Sequence, residues 1–84
     1  MSNIRLVIEH YCGEINSSNK ACCAIHGEAT PSLHVYDDTE SWNCFGECSD
    51  GGDAAKFIML MEDCRFPEAV RIYKEITGDE ETYA

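Results

Sequence analysis

Apolar residues at Ile4, Val7, Ile8 and Tyr11 recur at i, i+3, i+4 and i+7, the spacing that lays one stripe along a helix. Ser2 supplies an N-cap and Gly13 a left-handed stop, which predicts a helix within residues 1–13. In it Cys12 reads as a packing residue, and His10, with no close partner, as a surface group. The turn formers Asn16, Ser17, Ser18 and Asn19 then predict a loop over 14–20, with a short strand over 21–25. After a turn over 27–31 the period becomes two. Residues 32–36 alternate as a half-buried strand, with Leu33 and Val35 facing the core and His34 turned away. Asp37, Asp38, Thr39 and Glu40 form a polar hairpin tip, and 41–45 return antiparallel with Trp42 and Cys44 on one face. Residues 49–53 read as a flexible glycine turn ending in the N-cap Asp53. A helix from Ala54 to about Cys64 follows, with Ala54, Phe57, Ile58 and Met61 on its stripe. The next helix has Pro67 in its first turn, Phe66, Ala69, Val70, Tyr73 and Ile76 along one face, and Gly78 as its stop. Residues 79–84 read as a solvated, mobile acidic tail. The expected fold class is α+β, a small antiparallel sheet flanked by one N-terminal and two C-terminal helices, in a single domain.

A chain of 84 residues buries a marginal core, so something besides packing must hold it. Its six cysteines offer two routes, disulfides or a metal. The N-terminus passes directly into an amphipathic helix and lacks an export signal's apolar stretch, and no run nears the roughly 18 apolar residues of a membrane span. A reducing cytoplasm is therefore expected, where clustered cysteines favour metal. Cys23 with His26 and Cys44 with Cys48 form two close donor pairs, seventeen residues apart. That arrangement closes a tetrahedral site around one zinc ion, and two pairs in register outweigh a reading of these residues as ordinary core. Cys22 rivals Cys23, because spacing alone permits either. Four protein donors leave no open coordination position, so the zinc is structural and the chain is not expected to be an enzyme. The architecture becomes a zinc ribbon over 20–48, a helical pair over 53–77 and the tail.

Charge complicates a nucleic-acid role. Six basic residues face sixteen acidic ones, for a net charge of −10, and such a balance repels phosphate at long range. Glycines before a helix can cradle phosphate, but Asp50 and Asp53 occupy that end. Any DNA contact must be local and weak. Its candidate residues are Lys20, Tyr36, Trp42 and Lys56, with Phe45 as a further stacking ring and His34 as a possible aid. Trp42 and Phe45 are more at home in the core of so small a domain, which leaves Tyr36 as the aromatic expected at the surface.

Several motifs fall in the order of a known family. Residues 23–33, CAIHGEATPSL, resemble the C-P-F-H-x-E-K-T-P-S-F segment in the N-terminal zinc-binding domain of bacterial DnaG-type DNA primases. Trp42-Asn43-Cys44-Phe45-Gly46 is similar to that domain's aromatic-x-C-F-G stretch, Gly51-Gly52-Asp53-Ala54 to its glycine turn, and Phe66-Pro67-Glu68-Ala69-Val70 to its next helix start. The resemblance implies Cys23 rather than Cys22 as first ligand, a ribbon with zinc at one end, and a module that engages single-stranded template for a catalytic domain. Three residues separate Cys44 from Cys48 where the family usually has two, and Ala24, Ala29 and Leu33 stand where it commonly has proline, lysine and phenylalanine. Two functions follow as expectations. One is a stand-alone primase-type zinc finger that binds single-stranded DNA weakly and assists a separate replication enzyme. The other is an acidic module, an adaptor or DNA-mimicking inhibitor, that engages a basic DNA-binding protein.

Overall fold

In the computed structural model of the chain, which describes residues 2–23, 31–46 and 50–83, the first helix, α1 (Asn3–Cys12), starts at Ser2 as its sequence predicts. The Ser2 hydroxyl accepts the Arg5 N–H at 3.4 Å, and the helix ends at Gly13, whose φ of 83° and ψ of −145° lie outside the expected left-handed basin. Ile4, Val7 and Ile8 are buried, so the predicted stripe faces the core.

Among the described residues four strands follow in chain order, β1 (Lys20–Ala21), β2 (Leu33–Tyr36), β3 (Ser41–Cys44) and β4 (Gly51–Asp53), paired antiparallel in the order β1-β2-β3-β4. Register sets the faces. Leu33 lies opposite Cys44 and Val35 opposite Trp42, and all four are buried. His34 lies opposite Asn43 and Tyr36 opposite Ser41, all only partly covered. Among the described residues the helices lie on the first face, and the side chains of the second stay partly exposed.

β4 corrects the expectation of a flexible turn. Gly51 and Gly52 carry no side chains to alternate, so the periodicity that marks a strand is silent there. A Cβ at Gly51 would stand 2.6 Å from Asn43 Oδ1 and 2.8 Å from the Trp42 carbonyl oxygen, so this strand pairs closely because it is glycine. β1 covers Lys20–Ala21 where a strand over 21–25 was expected, and Cys22 and Cys23 lie outside it; the end of the expected strand and most of the turn after it fall in 24–30, outside the described residues.

Helix α2 (Ala54–Glu62) starts at Asp53, whose Oδ1 accepts the Lys56 N–H at 2.9 Å, and stops two residues before Cys64 with Asp63 left-handed. Helix α3 (Phe66–Thr77) has proline in its first turn and ends at Gly78, φ 76° and ψ 3°. The core joins Ile4 and Ile8, Leu33 and Trp42, Phe57 and Ile58, Ala69 and Tyr73. Trp42 stands edge-on to Phe57 at 5.1 Å and donates its indole N–H to the Asp53 carbonyl at 2.8 Å, tying the sheet to the start of α2. Phe66, expected on the core stripe of α3, is 49% exposed.

The tail is docked where mobility was expected. Asp79 accepts from Asn3 Nδ2 at 2.7 Å, from the Glu81 N–H at 2.9 Å and from the Thr82 hydroxyl. Tyr83 packs edge-on to Tyr73 at 4.9 Å and to Phe66 at 5.7 Å, and donates its hydroxyl to Asp53 Oδ2 at 3.1 Å.

Candidate functional site

Two features of the sheet carry chemistry. The first is the end where β1 finishes, β2 begins and β3 finishes. Alternation along β1 into the next residues leaves Cys22 exposed and Cys23 fully buried, on the core face that also holds Cys44 at 1% exposure. The backbone aligns Cys44 from both sides. Its N–H donates to the Asp50 carbonyl at 2.7 Å, and the next N–H, of Phe45, donates to the Ser32 carbonyl at 2.9 Å. The Ser32 hydroxyl lies 3.9 Å from Cys44 Sγ. His26 and Cys48, the other two expected donors, lie outside the described residues. Among the described residues no three His, Cys, Asp or Glu side chains cluster as a metal site. Two soft sulfur donors on one buried face at one sheet end suit zinc chemistry, which a closed site completes with two more donors.

The second feature is the uncovered face. The His34 imidazole stacks on the Tyr36 ring with centroids 4.7 Å apart and planes 2° from parallel, and Phe45 stands edge-on to His34 at 6.4 Å. Lys20 lies opposite His34 on β1, exposed, and Asn43 lies opposite it on β3. At the far edge the Lys56 ammonium donates to Asp50 Oδ1 at 2.8 Å.

Trp42 does not belong to this face. At 2% exposure, with its N–H bonded inside, it offers no ring to a base, which corrects its place among the nucleic-acid candidates. Phe45 moves the other way: expected in the core, it is 65% exposed and the most open large apolar side chain described. Strand parity carries that signal, because Trp42 and Cys44 inward put Phe45 outward, whereas its size argued for the core. Asn43 was not singled out by the sequence, and its register opposite His34 brings it to this face.

Much of the negative charge lies on the helices and tail, where Glu62, Asp63, Glu68, Glu75, Glu80 and Glu81 are exposed. Nearer the sheet, Arg5 neutralises Asp37 through Nε at 3.1 Å and a terminal nitrogen at 2.7 Å, and this pairing, with help from Ser2, holds the Asp37 carboxyl below its ordinary range. No helix among the described residues is long and apolar enough to cross a membrane.

Residues 2–83 match the family model of the CHC2 zinc finger. DNA primase from Mycolicibacterium smegmatis is 41% identical over 66 residues, which cover 79% of this chain and 10% of that protein. DNA primase from Chlamydia trachomatis is 45% identical over 51 residues, 61% of this chain and 8% of that one. A crystal structure of the Aquifex aeolicus primase, comprising zinc-binding and RNA polymerase domains, is matched over 100% of this chain and 24% of its own, at 32% identity and a TM-score of 0.68. The chain thus spans about a tenth of the primases it matches in sequence. It belongs to the CHC2 zinc finger family and is a zinc-binding domain of the DnaG primase type.

Proposed function

We propose that this domain binds single-stranded DNA on the uncovered face of its sheet and presents it to the polymerising unit of a replication enzyme. The observation that carries this reading is the stack of His34 on Tyr36, edged by Phe45 and flanked by Lys20. Rings open to solvent accept bases of any sequence by stacking, and a neighbouring ammonium accepts phosphate. The net charge of −10 works against this contact at long range, so the contact is local. Binding is weak because few cations serve it.

The same reading assigns one zinc ion to Cys23, His26, Cys44 and Cys48, as a structural ion that fixes the sheet end from which Phe45 projects. The burial of Cys23 beside the exposure of Cys22 supports Cys23 as the first ligand. Zinc supplies no reaction here, and the chain's own residues bind and orient the strand.

Titration of a labelled oligonucleotide into the zinc-loaded protein at low and moderate salt tests the proposal. Tyr36→Ala and Phe45→Ala are each expected to weaken binding by about 1–3 kcal/mol, the usual worth of a base stack, and Trp42→Phe to leave it unchanged once folding is confirmed. No binding at low salt would move the assignment to the acidic helical side and a basic protein partner.

A further inference from the structure

Lys20 is mounted on the edge of the sheet by the side chain of Asn16. The Val35 N–H donates to the Asn19 carbonyl at 2.8 Å, so the ladder bonds skip the Lys20–His34 pair and the Lys20 backbone groups point out of the sheet. Opposed side chains stand closest in that kind of pair, with Cα atoms about 4.5 Å apart. At a bare edge the outward N–H and C=O of Lys20 would face water. Asn16 takes both. Its Oδ1 accepts the Lys20 N–H at 3.0 Å, and its own N–H donates to the Lys20 carbonyl at 2.9 Å. The same Oδ1 accepts the Ser18 N–H at 2.9 Å, and the Asn16 carbonyl accepts the Asn19 N–H at 3.0 Å, closing a turn over 16–19. Asn19 ends that turn in the left-handed conformation, φ 61°, which asparagine tolerates, and its Oδ1 accepts from Arg5 at 2.6 Å, anchoring the turn to α1. The cation so mounted is not consumed by a carboxylate. Arg5 is tied to Asp37, Lys56 to Asp50 and Arg71 to Glu68, whereas Lys20 makes no ion pair among the described residues.

We infer that Asn16 is a positioning residue of the single-strand site: by holding Lys20 at both of its backbone polar groups, it keeps that ammonium on the face that carries His34, where it takes a phosphate of the stacked strand. This rests on the single-strand reading above. A strand of two residues has little ladder of its own to resist fraying, and a lysine stem is flexible enough to wander once its Cα is loose. With the Cα fixed opposite His34, a phosphate contact forms at a smaller entropic cost. Asn16 touches no DNA in this assignment. Its effect passes through Lys20 and leaves the rings alone.

Affinity of the zinc-loaded chain for a labelled oligothymidylate, followed across a salt series, tests this. Lys20→Gln is expected to weaken binding about five- to tenfold at low salt and to flatten the slope of log affinity against log salt by about 0.7, the share of one phosphate on a single strand. Asn16→Ala leaves every charge in place, yet is expected to flatten that slope too and to weaken binding about two- to fivefold, because a loose ammonium must be ordered on binding. In the Lys20→Gln background the same substitution should change affinity less than about 1.5-fold, whereas in the Tyr36→Ala background its effect keeps its full size. Asn16→Ser, whose hydroxyl accepts backbone N–H groups more weakly, is expected to recover part of the loss. Metal content and melting temperature establish that each variant is folded, and Asn16→Ser with and without Lys20→Gln repeats the cycle should the alanine variant lose metal. A loss of equal size with and without Lys20, or no loss where Lys20→Gln has one, would overturn the positioning role and leave the single-strand reading intact. So would an unchanged salt slope in Lys20→Gln while Tyr36→Ala still weakens binding. No binding by the unaltered chain would overturn that reading and this inference with it.

Discussion

The two ends of the sheet are fastened by different chemistry. At the hairpin end the chain ties itself. Glu40, left-handed at φ 51°, turns its carboxylate to the N–H groups of Asn3 and Ile4 at 3.1 and 3.3 Å, and Arg5 grips Asp37 with two nitrogens while reaching Asn19 at 2.6 Å. The start of α1 is thus capped by side chains from the opposite layer. At the sulfur end, the described ties are two backbone bonds around Cys44 and the Ser32 hydroxyl, with Cys23 and Cys44 buried there. One end is fastened by described side chains, whereas the other holds the two buried sulfurs to which the proposed zinc is assigned.

Removing that metal should break the comparison most. A structural zinc site is worth on the order of 10–16 kcal/mol of apparent binding free energy, which matches or exceeds the stability of a typical domain. Chelation, or Cys44→Ser, is expected to erase protection of the Cys44 and Phe45 amides in hydrogen exchange and to lower the melting temperature by tens of degrees. Retained protection of the Leu6 and Val35 amides, whose acceptors are the Ser2 and Asn19 carbonyls, would show that the hairpin end stands alone. Simultaneous loss would show one cooperative unit. Cobalt substitution should report Cys23 and Cys44 as ligands through thiolate charge-transfer bands that Cys22→Ser leaves in place.

Acid separates the ends further. Metal-binding thiolates compete with protons and lose their metal as pH falls. Asp37 behaves otherwise: its folded carboxyl is held below the unfolded one by Arg5 and Ser2. Its contribution is therefore complete above the unfolded value of about 4 and fades only as pH drops below that. Metal release is expected first in an acid titration, with the Arg5–Asp37 contact surviving it. At neutral pH, Asp37→Asn should cost roughly 0.5–1 kcal/mol, since the pair is partly exposed, and should leave metal affinity unchanged.

The comparison also explains what the sequence could reveal. The three described helices announce themselves through apolar spacing and end signals at Ser2, Asp53, Pro67 and Gly78, because those contacts are local. The β2–β3 hairpin is legible through alternation at Leu33, Val35, Trp42 and Cys44. β4 is not, because glycine has no side chain to alternate and its pairing depends on space left by Asn43 and Trp42. Trp42 was legible as an inward residue by parity and misplaced only when aromatic chemistry was weighed above it. Asp79 meets Asn3 across 76 positions, a distance at which no local pattern points.

That long-range contact makes the smallest prediction. Asp79 is pulled down to about 2, first by the Thr82 hydroxyl and then by the Glu81 and Thr82 N–H groups. Its contribution is present above the unfolded carboxyl value of about 4 and is lost only as pH falls through about 2. By then the sulfur end has released its metal, so an acid series cannot isolate the tail, and substitution at neutral pH must do so. Tyr83→Phe removes the hydroxyl bond to Asp53 while keeping the edge-on packing on Tyr73 and Phe66. A cost of about 0.5–1 kcal/mol is expected, with metal content and single-strand affinity unchanged. Because Asp53 also caps α2 and receives the Trp42 indole, a drop in DNA affinity instead would mean that the tail reaches the β4 edge through that residue. The two sheet ends would then share a third fastening, on the helical side, that neither hairpin nor sulfur chemistry supplies.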